Sequence, residues 1–138
     1  VYGVDASPSL VAAFRDNLPA VPVACESVVD SSFFNRTFDG VVAWGLIFLL
    51  QREEQQRLIH SVADILVPGG RLLFTSSCGT EPLIWNDGMT GLESRSLGAA
   101  EYRKLLSEVG IFVTREYEDV GENHYFDAVK GTPANQQR

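Results

Sequence analysis

The sequence has little cysteine, no excess of basic residues and no long apolar run. Two of its 138 residues are cysteine, Cys25 and Cys78. Their separation fits no metal-ligand pattern, so we expect free thiols and no metal site. Lysine and arginine number 11 against 18 acidic residues, a formal net charge of −7, which argues against nucleic acid or an anionic membrane surface as a partner. Because no run could span a bilayer and no signal-peptide pattern is present, we expect a cytoplasmic protein with no membrane partner.

The stretch from Phe38 to Ser76 has the clearest pattern, which predicts strand, helix, turn and strand. Gly40–Trp44 is a short apolar run of the kind that is buried on both faces of a sheet. From about Arg52 the apolar spacing becomes helical, and Pro68-Gly69-Gly70 is expected to stop the helix before a strand at Arg71–Thr75. Two buried strands joined by a helix predict a right-handed crossover in a parallel sheet.

The segments on either side extend this alternation. Before it lie a strand that ends at Asp5, a helix that Ser7 caps and Pro8 begins, and a strand at Val21–Cys25. After it, Ser77–Arg95 is rich in turn-forming residues, and we expect a long loop that serves as a lid or binding loop.

The last third predicts a helix from about Gly98 to Gly110, followed by an antiparallel hairpin with strands at Ile111–Tyr117 and Tyr125–Lys130. The whole order predicts an α/β fold with a mostly parallel sheet and one antiparallel C-terminal strand. We expect one domain over residues 1–131 and a polar tail at 132–138.

The carboxyl ends of the predicted strands indicate where a ligand would bind, because open parallel sheets bind ligands at that edge. A carboxylate at such a strand end can accept two hydrogen bonds from a cis-diol, as in ribose recognition. The polar and aromatic residues at this edge are Asp5 to Ser7, Glu26 and Ser27, Trp44 and Gly45, Ser76 to Gly79, and the hairpin tip at Glu122 to Tyr125.

Four segments, VYGVDAS, ACES, FDGVVAWG and LVPGGRLLFTS, occur in an order and spacing that resemble the class I S-adenosylmethionine-dependent methyltransferases. The segment LGAAEYRKLLSEVGIFVTREYEDVGENHYFDAVK resembles the last helix and hairpin of that Rossmann-like fold, so the resemblance covers about residues 1–130. It implies S-adenosylmethionine as cofactor and methyl transfer to a small-molecule acceptor.

Six residues match cofactor-binding positions of the family: Asp5, Ala6, Glu26, Ser27, Trp44 and Gly45. The resemblance implies that Asp5 binds the ribose hydroxyls and that Ala6 lies beside the adenine. Glu26 would lie near the adenine amine, with Ser27 following it. Trp44 and Gly45 would border the methionine end and the transferred methyl group.

Each candidate also has a purely structural interpretation. Asp5 could only cap the following helix, Glu26 could be an ordinary loop acid, and Trp44 could pack in the core. Three further residues are candidates for substrate binding: Trp85 in the long loop, and His124 and Tyr125 in the hairpin. Trp85 could equally be a hydrophobic anchor of its loop. His124 could move a proton near neutral pH, or it could simply be exposed at a turn.

The sequence departs from the family at its beginning, because it contains no GxGxG loop. In the family, that loop and the first strand would precede Val1. The strands on either side of the gap could close directly, another chain could fill the gap, or the sequence could be a fragment of a longer protein. Since Val1 begins in mid-strand, we expect an N-terminally truncated domain with an incomplete cofactor site.

Three functions follow as hypotheses. The first is S-adenosylmethionine-dependent methyl transfer to a small molecule, an activity that a truncated chain could have lost. The second is a non-catalytic protein of the same fold that is stable as a homo-oligomer through its unpaired strand edges. A nicotinamide-dependent Rossmann enzyme fits less well, because it too needs the missing glycine loop.

Overall fold

The computed structural model describes residues 1–76 and 79–132 and divides the chain into two compact units, Val1–Arg36 and Thr37–Arg138. Cys78 and nearly all of the expected polar tail lie outside the described residues.

The first unit is a strand-helix-strand segment followed by a short turn. It contains β1 (Gly3–Asp5), α1 (Pro8–Asn17), β2 (Val23–Cys25) and a 3-10 turn at Phe33–Asn35. Strands β1 and β2 are parallel, with Asp5 opposite Cys25. The predicted cap is present, since the Leu10 amide donates to the Ser7 hydroxyl at 3.3 Å and Pro8 occupies the first turn.

The second unit contains the remaining elements. In chain order they are β3 (Phe38–Ala43), a 3-10 turn (Ile47–Leu49), α2 (Arg52–Ile65), β4 (Leu66–Ser76), β5 (Leu83–Asn86), β6 (Glu93–Ser96), α3 (Ala99–Glu108), β7 (Ile111–Glu118) and β8 (His124–Lys130).

The principal sheet of the second unit has the order β3-β4-β8-β7. Strands β3 and β4 are parallel, and β8 is antiparallel to both of its neighbours. The predicted crossover through α2, the terminal hairpin and the single antiparallel strand are therefore confirmed.

Helix α2 ends earlier than the sequence predicted. It stops at Ile65, and β4 already begins at Leu66, whose φ of −80° and ψ of 133° are extended. Pro68-Gly69-Gly70 thus lies inside a strand, where a register shift in the β3–β4 pairing accommodates it. Gly70 is required there, because a Cβ would come within 2.8 Å of the Val67 carbonyl oxygen.

The prediction of one long loop over Ser77–Arg95 is wrong. Strands β5 and β6 pair as an antiparallel hairpin within it, with Trp85 opposite Ser94. Asp87 closes the turn, since its Oδ2 accepts hydrogen bonds from the Thr90 amide at 2.8 Å and from the Thr90 hydroxyl at 3.0 Å.

An aromatic cluster forms the core of the second unit. Phe126 stacks on Phe74 with ring centroids 4.7 Å apart and meets the edge of Tyr102 at 5.5 Å. All three side chains are at most 2% exposed.

A buried glutamine joins helix α2 to the β5–β6 hairpin. The Gln55 amide donates to the carbonyl oxygens of Leu50 and Arg95, both at 3.0 Å, and its oxygen accepts from the Tyr102 hydroxyl at 2.7 Å. The same hydroxyl accepts from the Leu97 amide at 3.2 Å. This network fixes β6 against the helices that carry Gln55 and Tyr102.

Candidate functional site

In the first unit, the candidate residues lie at the carboxyl edge of the two-stranded sheet. Asp5 ends β1 and Glu26 follows β2, and the Glu26 amide donates to the Asp5 carbonyl oxygen at 3.0 Å. The sheet therefore brings these two predicted residues to neighbouring positions.

The Asp5 carboxylate is exposed, and one of its two oxygens accepts a hydrogen bond within the described chain. Its Oδ1 accepts from the amide of Ser7, the residue that caps α1, at 2.8 Å, so Asp5 forms a turn before the helix and does not cap the helix itself. Within the described part of the chain, Oδ2 has no hydrogen-bond partner. The turn and ligand binding are thus compatible, because the carboxylate retains one oxygen with which to accept a hydroxyl group.

The other candidate residues in this unit differ in whether their polar side chains are already hydrogen-bonded. Glu26 is half-buried, and its Oε1 accepts from the Ser31 hydroxyl at 2.5 Å. The Ser27 hydroxyl accepts from the Val29 amide at 3.2 Å, so it stabilises the turn. Ala6 is exposed, and its carbonyl oxygen is 3.8 Å from the Sγ of Cys25, a free, exposed thiol.

In the second unit, the predicted edge also forms. The register places Ser76 opposite His124 and Thr75 opposite Tyr125, so β4 ends where β8 begins. Gly45, just after β3, has a φ of +67° and donates its amide to the Thr75 hydroxyl at 2.7 Å. That hydrogen bond holds the end of β3 against the end of β4.

Trp44 and Tyr125 are the two aromatic side chains that face each other at this edge. The Trp44 indole N–H donates to the Tyr125 hydroxyl at 3.3 Å, and that hydroxyl donates to the Asp119 Oδ2 at 2.8 Å. The Trp44 side chain nevertheless stays 64% exposed. The alternative that Trp44 packs in the core is thus not what the structure shows.

His124 is buried rather than exposed at a turn. Its Nε2 lies 2.8 Å from the Glu116 Oε1 and its Nδ1 lies 3.2 Å from the Glu118 Oε1. Glu116 also accepts from Arg103 Nε at 2.7 Å, and Glu118 accepts from the Gly79 amide at 2.9 Å. Both ring nitrogens are therefore occupied within the hairpin, and a substrate role for His124 stays a prediction.

The hydrogen bonds of the hairpin set the ionisation of its carboxyl groups. Hydrogen bonds from the Asn123 side chain, then from Tyr125 and the Asn123 amide, lower the pKa of Asp119 to about 2. The Gly79 amide and His124 lower the pKa of Glu118. Desolvation acts to raise the pKa of Glu116, but hydrogen bonds from His124 and Arg103 outweigh it, so that pKa is lowered too.

The Tyr125 hydroxyl remains a donor at neutral pH. The Trp44 N–H acts to lower the pKa of Tyr125, but the neighbouring Asp119 carboxylate outweighs it and the pKa is raised. A protonated Tyr125 keeps both hydrogen bonds, which orients the Trp44 ring.

Acid should weaken the hairpin through these carboxylates. A folded pKa below the unfolded value stabilises the protein above the unfolded pKa of about 4. That contribution is lost as the pH falls through the folded pKa, which for Asp119 is about 2. We expect Asp119→Asn to reduce the loss of stability between about pH 4 and pH 2, measured by urea unfolding at each pH. Asp64→Asn, at an exposed position on α2, is the control, and equal pH dependence in wild type and Asp119→Asn would contradict the expectation.

Trp85 lies on the β5–β6 hairpin. It is half-buried, and its ring lies 5.6 Å from that of Phe48 in the 3-10 turn after Gly45. The predicted lid residue thus packs on the segment that follows the β3 end.

Sequence reasoning missed the carboxylates of the hairpin. Glu116, Glu118 and Asp119 organise His124 and Tyr125 across the two strands. Their clustering before the turn was a visible signal, but their partners depend on cross-strand register. Among the described residues, no cluster of His, Cys, Asp or Glu could hold a metal ion.

Comparison with known families decides what this arrangement belongs to. A family model described as a methyltransferase domain matches residues 1–70. The chain belongs to this methyltransferase family. Membership implies S-adenosylmethionine as the cofactor, and the ribose-binding role that the resemblance implies for Asp5 stays a prediction. No protein of curated function matches the sequence significantly.

Solved structures share the methyltransferase fold at low sequence identity. An S-adenosylmethionine-dependent methyltransferase from Clostridium acetobutylicum is 14% identical with a TM-score of 0.75, over 95% of this chain and 75% of that one. The 1,6-didemethyltoxoflavin-N1-methyltransferase of Burkholderia thailandensis, with 1,6-didemethyltoxoflavin and S-adenosylhomocysteine bound, is 15% identical with a TM-score of 0.75. That match covers 96% of this chain and 61% of the other. The amino pentose methyltransferase CalS10 from Micromonospora echinaspora, with S-adenosylmethionine bound, is 15% identical with a TM-score of 0.73. That match covers 94% of this chain and 73% of the other.

One further observation concerns membranes. None of the helices in the described part of the chain is both long and apolar enough to cross a bilayer.

Proposed function

We propose that this protein transfers a methyl group from S-adenosylmethionine to a small-molecule acceptor. The observation that carries the proposal is the carboxylate of Asp5 at the end of β1, with Glu26 beside it at the end of β2, in a chain of the methyltransferase family. The two similar methyltransferases from Burkholderia and Micromonospora are named for 1,6-didemethyltoxoflavin and an amino pentose, which supports a small acceptor.

The first unit supplies the nucleoside contacts in this proposal. The Asp5 Oδ2 accepts a ribose hydroxyl, while Oδ1 stays on the Ser7 amide. Ala6 presents an exposed small side chain next to Asp5, which suits the edge of a planar base. Glu26 and Ser27 are already hydrogen-bonded within the unit, so they contribute mainly by shaping this edge.

In the second unit, we propose that Trp44 and Gly45 border the reacting end of the cofactor and that Tyr125 orients Trp44. The sulfonium supplies an already activated methyl group, so the protein has chiefly to align the acceptor. An exposed indole face attracts a cation, and the hydrogen bond to Tyr125 fixes its direction. We assign His124 to holding the hairpin that carries Tyr125, and Trp85 to a lid over the acceptor.

Titration with S-adenosylhomocysteine in a calorimeter, after the mass in solution has been measured, tests the proposal. We expect saturable binding and at least tenfold weaker binding in Asp5→Asn. An asparagine keeps the Oδ1 acceptor for Ser7 but loses the carboxylate. Asp5→Ala should lose the hydrogen bond from the Ser7 amide as well, and so should also be slightly less stable.

Asp16→Asn, an exposed aspartate on α1, is the matched control and should bind like wild type. If a folded Asp5→Asn bound like wild type, the Asp5 side chain would serve only to hold the turn before α1. No binding by a folded wild-type chain would refute the proposal for this chain.

The competing hypothesis of a non-catalytic oligomer is favoured by one observation. Strand β3 is at the edge of the described four-stranded sheet, and Val42 on it is 71% exposed. An unpaired strand edge invites pairing with another chain. The mass and binding measurements together distinguish the two hypotheses. An oligomer that does not bind the cofactor supports the non-catalytic protein, and a chain that binds the cofactor supports the enzyme.

A further inference from the structure

A cleft in the second unit lies beside the β5–β6 hairpin and the start of α2. Its volume of about 370 Å³ falls within the range of small-molecule sites, roughly 300 to 1,000 Å³. Two arginines, Arg52 and Arg95, provide its charged groups. The apolar part of the wall consists of Pro82, Leu83, Ile84 and Leu97.

The two arginines of this cleft have more N–H donors than their ion pairs use. Arg52 Nη1 is 3.4 Å from the Glu101 Oε1, and Arg95 Nη2 is 2.6 Å from the Glu93 Oε1. A guanidinium carries five N–H donors, so these single ion pairs leave most of the donors of each arginine available.

One N–H donor of Arg95, which lines the cleft, has no acceptor. Among the described residues, Arg95 Nε is the buried side-chain nitrogen or oxygen that lacks a hydrogen-bond partner. A buried donor without an acceptor is unfavourable, and native proteins rarely leave one so. The neighbouring Glu93, which pairs with Nη2 of the same guanidinium, has a side chain that is 56% exposed.

The backbone under this donor is held rigidly. The Arg95 carbonyl oxygen accepts from Gln55 Nε2 at 3.0 Å, and its neighbours Ser94 and Ser96 are at most 4% exposed. A fixed backbone lowers the entropy lost on binding. The position of Arg95 is therefore set before any ligand arrives.

We propose that this cleft binds a small monocarboxylate with an apolar body. The planar fork of a guanidinium matches two carboxylate oxygens, and Leu83 and Ile84, which are 44% and 62% exposed, cover the body. A single negative charge is favoured because Glu93 and Glu101 already balance part of the arginine charge. The residues of this site differ from those at the strand ends, although Leu83 and Ile84 share strand β5 with Trp85.

Binding of phenylacetate tests the proposal, with 2-phenylethanol as an uncharged probe of similar shape. We expect phenylacetate to shift the backbone amide NMR signals of Leu83, Ile84 and residues 95–97 in a saturable way. Arg95→Met should weaken its binding at least tenfold, because methionine keeps an apolar stem but removes every donor. Arg115→Met is the matched control, since Arg115 lies over the Tyr117 ring outside the cleft, and it should bind like wild type.

Several results would overturn this site. They are the absence of shifts up to about 10 mM phenylacetate, a range that spans weak binding, equal binding of 2-phenylethanol, and equal, Arg95-dependent binding of inorganic phosphate. If Arg95→Met failed to fold, Arg52→Met would decide: at least threefold weaker phenylacetate binding supports the proposal and unchanged binding refutes it. None of these measurements involves the methyl donor, so their outcome is separate from that of the proposed function.

Discussion

Replacing Gln55 by leucine should lower the free energy of unfolding by about 3 to 5 kcal/mol. The leucine fills a similar space, but it leaves the Leu50 and Arg95 carbonyl oxygens and the Tyr102 hydroxyl without their buried partner. Each buried polar group that loses its partner costs about 1 to 3 kcal/mol. Urea unfolding measured by circular dichroism, with the slope checked against wild type, gives the difference.

Gln56→Leu is the matched control, because it makes the same chemical change one position along α2 at a partly exposed site. We expect it to alter stability by no more than about 0.5 kcal/mol. Equal effects of the two substitutions would show that the Gln55 hydrogen bonds contribute nothing net. Hydrogen exchange adds a local readout, since Gln55→Leu should lower the protection of the Leu97 amide, which donates to Tyr102.

Helix α2 of the β3-α2-β4 crossover could be read from the sequence because its apolar periodicity and its tertiary environment agree. The burial predicted for Gly40–Trp44 is wrong, because β3 is at the edge of the described sheet, and Val42 and Trp44 are 71% and 64% exposed. The spacing after Arg52, by contrast, matches the buried face of α2, where Leu58, Ile59 and Val62 are at most 5% exposed. Local propensity and packing favour the same conformation there, so the pattern suffices.

The β5–β6 hairpin could not be read in this way. Leu83, Ile84 and Trp85 form a three-residue apolar run among turn-forming residues, and its partner strand, Glu93–Ser96, is polar. A buried hydrogen-bond network through Gln55 holds that polar strand, and such long-range pairing leaves no period in the sequence. Pro68-Gly69-Gly70 misled for a similar reason, since a tertiary register shift overrides its turn propensity.

In the candidate site too, the positions of the residues could be predicted from the sequence, but their hydrogen-bond partners could not. The topology rule that ligands bind at the carboxyl ends of parallel strands placed Asp5, Trp44 and Tyr125 at sheet edges, and the structure has them there. The partners that set their chemistry, such as Asp119 on Tyr125, depend on which residues face each other across β7 and β8. A sequence alone does not fix that register.

Truncating Phe126 to alanine should lower the free energy of unfolding by about 3 to 5 kcal/mol. Phe126 is 0% exposed on the central strand β8, between β4 and β7. It stacks on Phe74 at 4.7 Å and meets the rings of Tyr102 and His124 edge-on at 5.5 and 4.9 Å. Removing the ring therefore leaves a cavity against three aromatic neighbours, and thermal and urea unfolding should both detect the loss.

Phe112→Ala provides the control, because Phe112 lies on the neighbouring strand β7 but is 41% exposed. It should cost no more than about 1 kcal/mol, since a large part of the residue already contacts water. Phe126→Leu should fall between the two, which separates the loss of volume from the loss of aromatic contacts. Equal costs for Phe126→Ala and Phe112→Ala would contradict a core centred on β8. In that case the buried His124, whose ring meets Phe126, would have to be held by Glu116 and Glu118 alone.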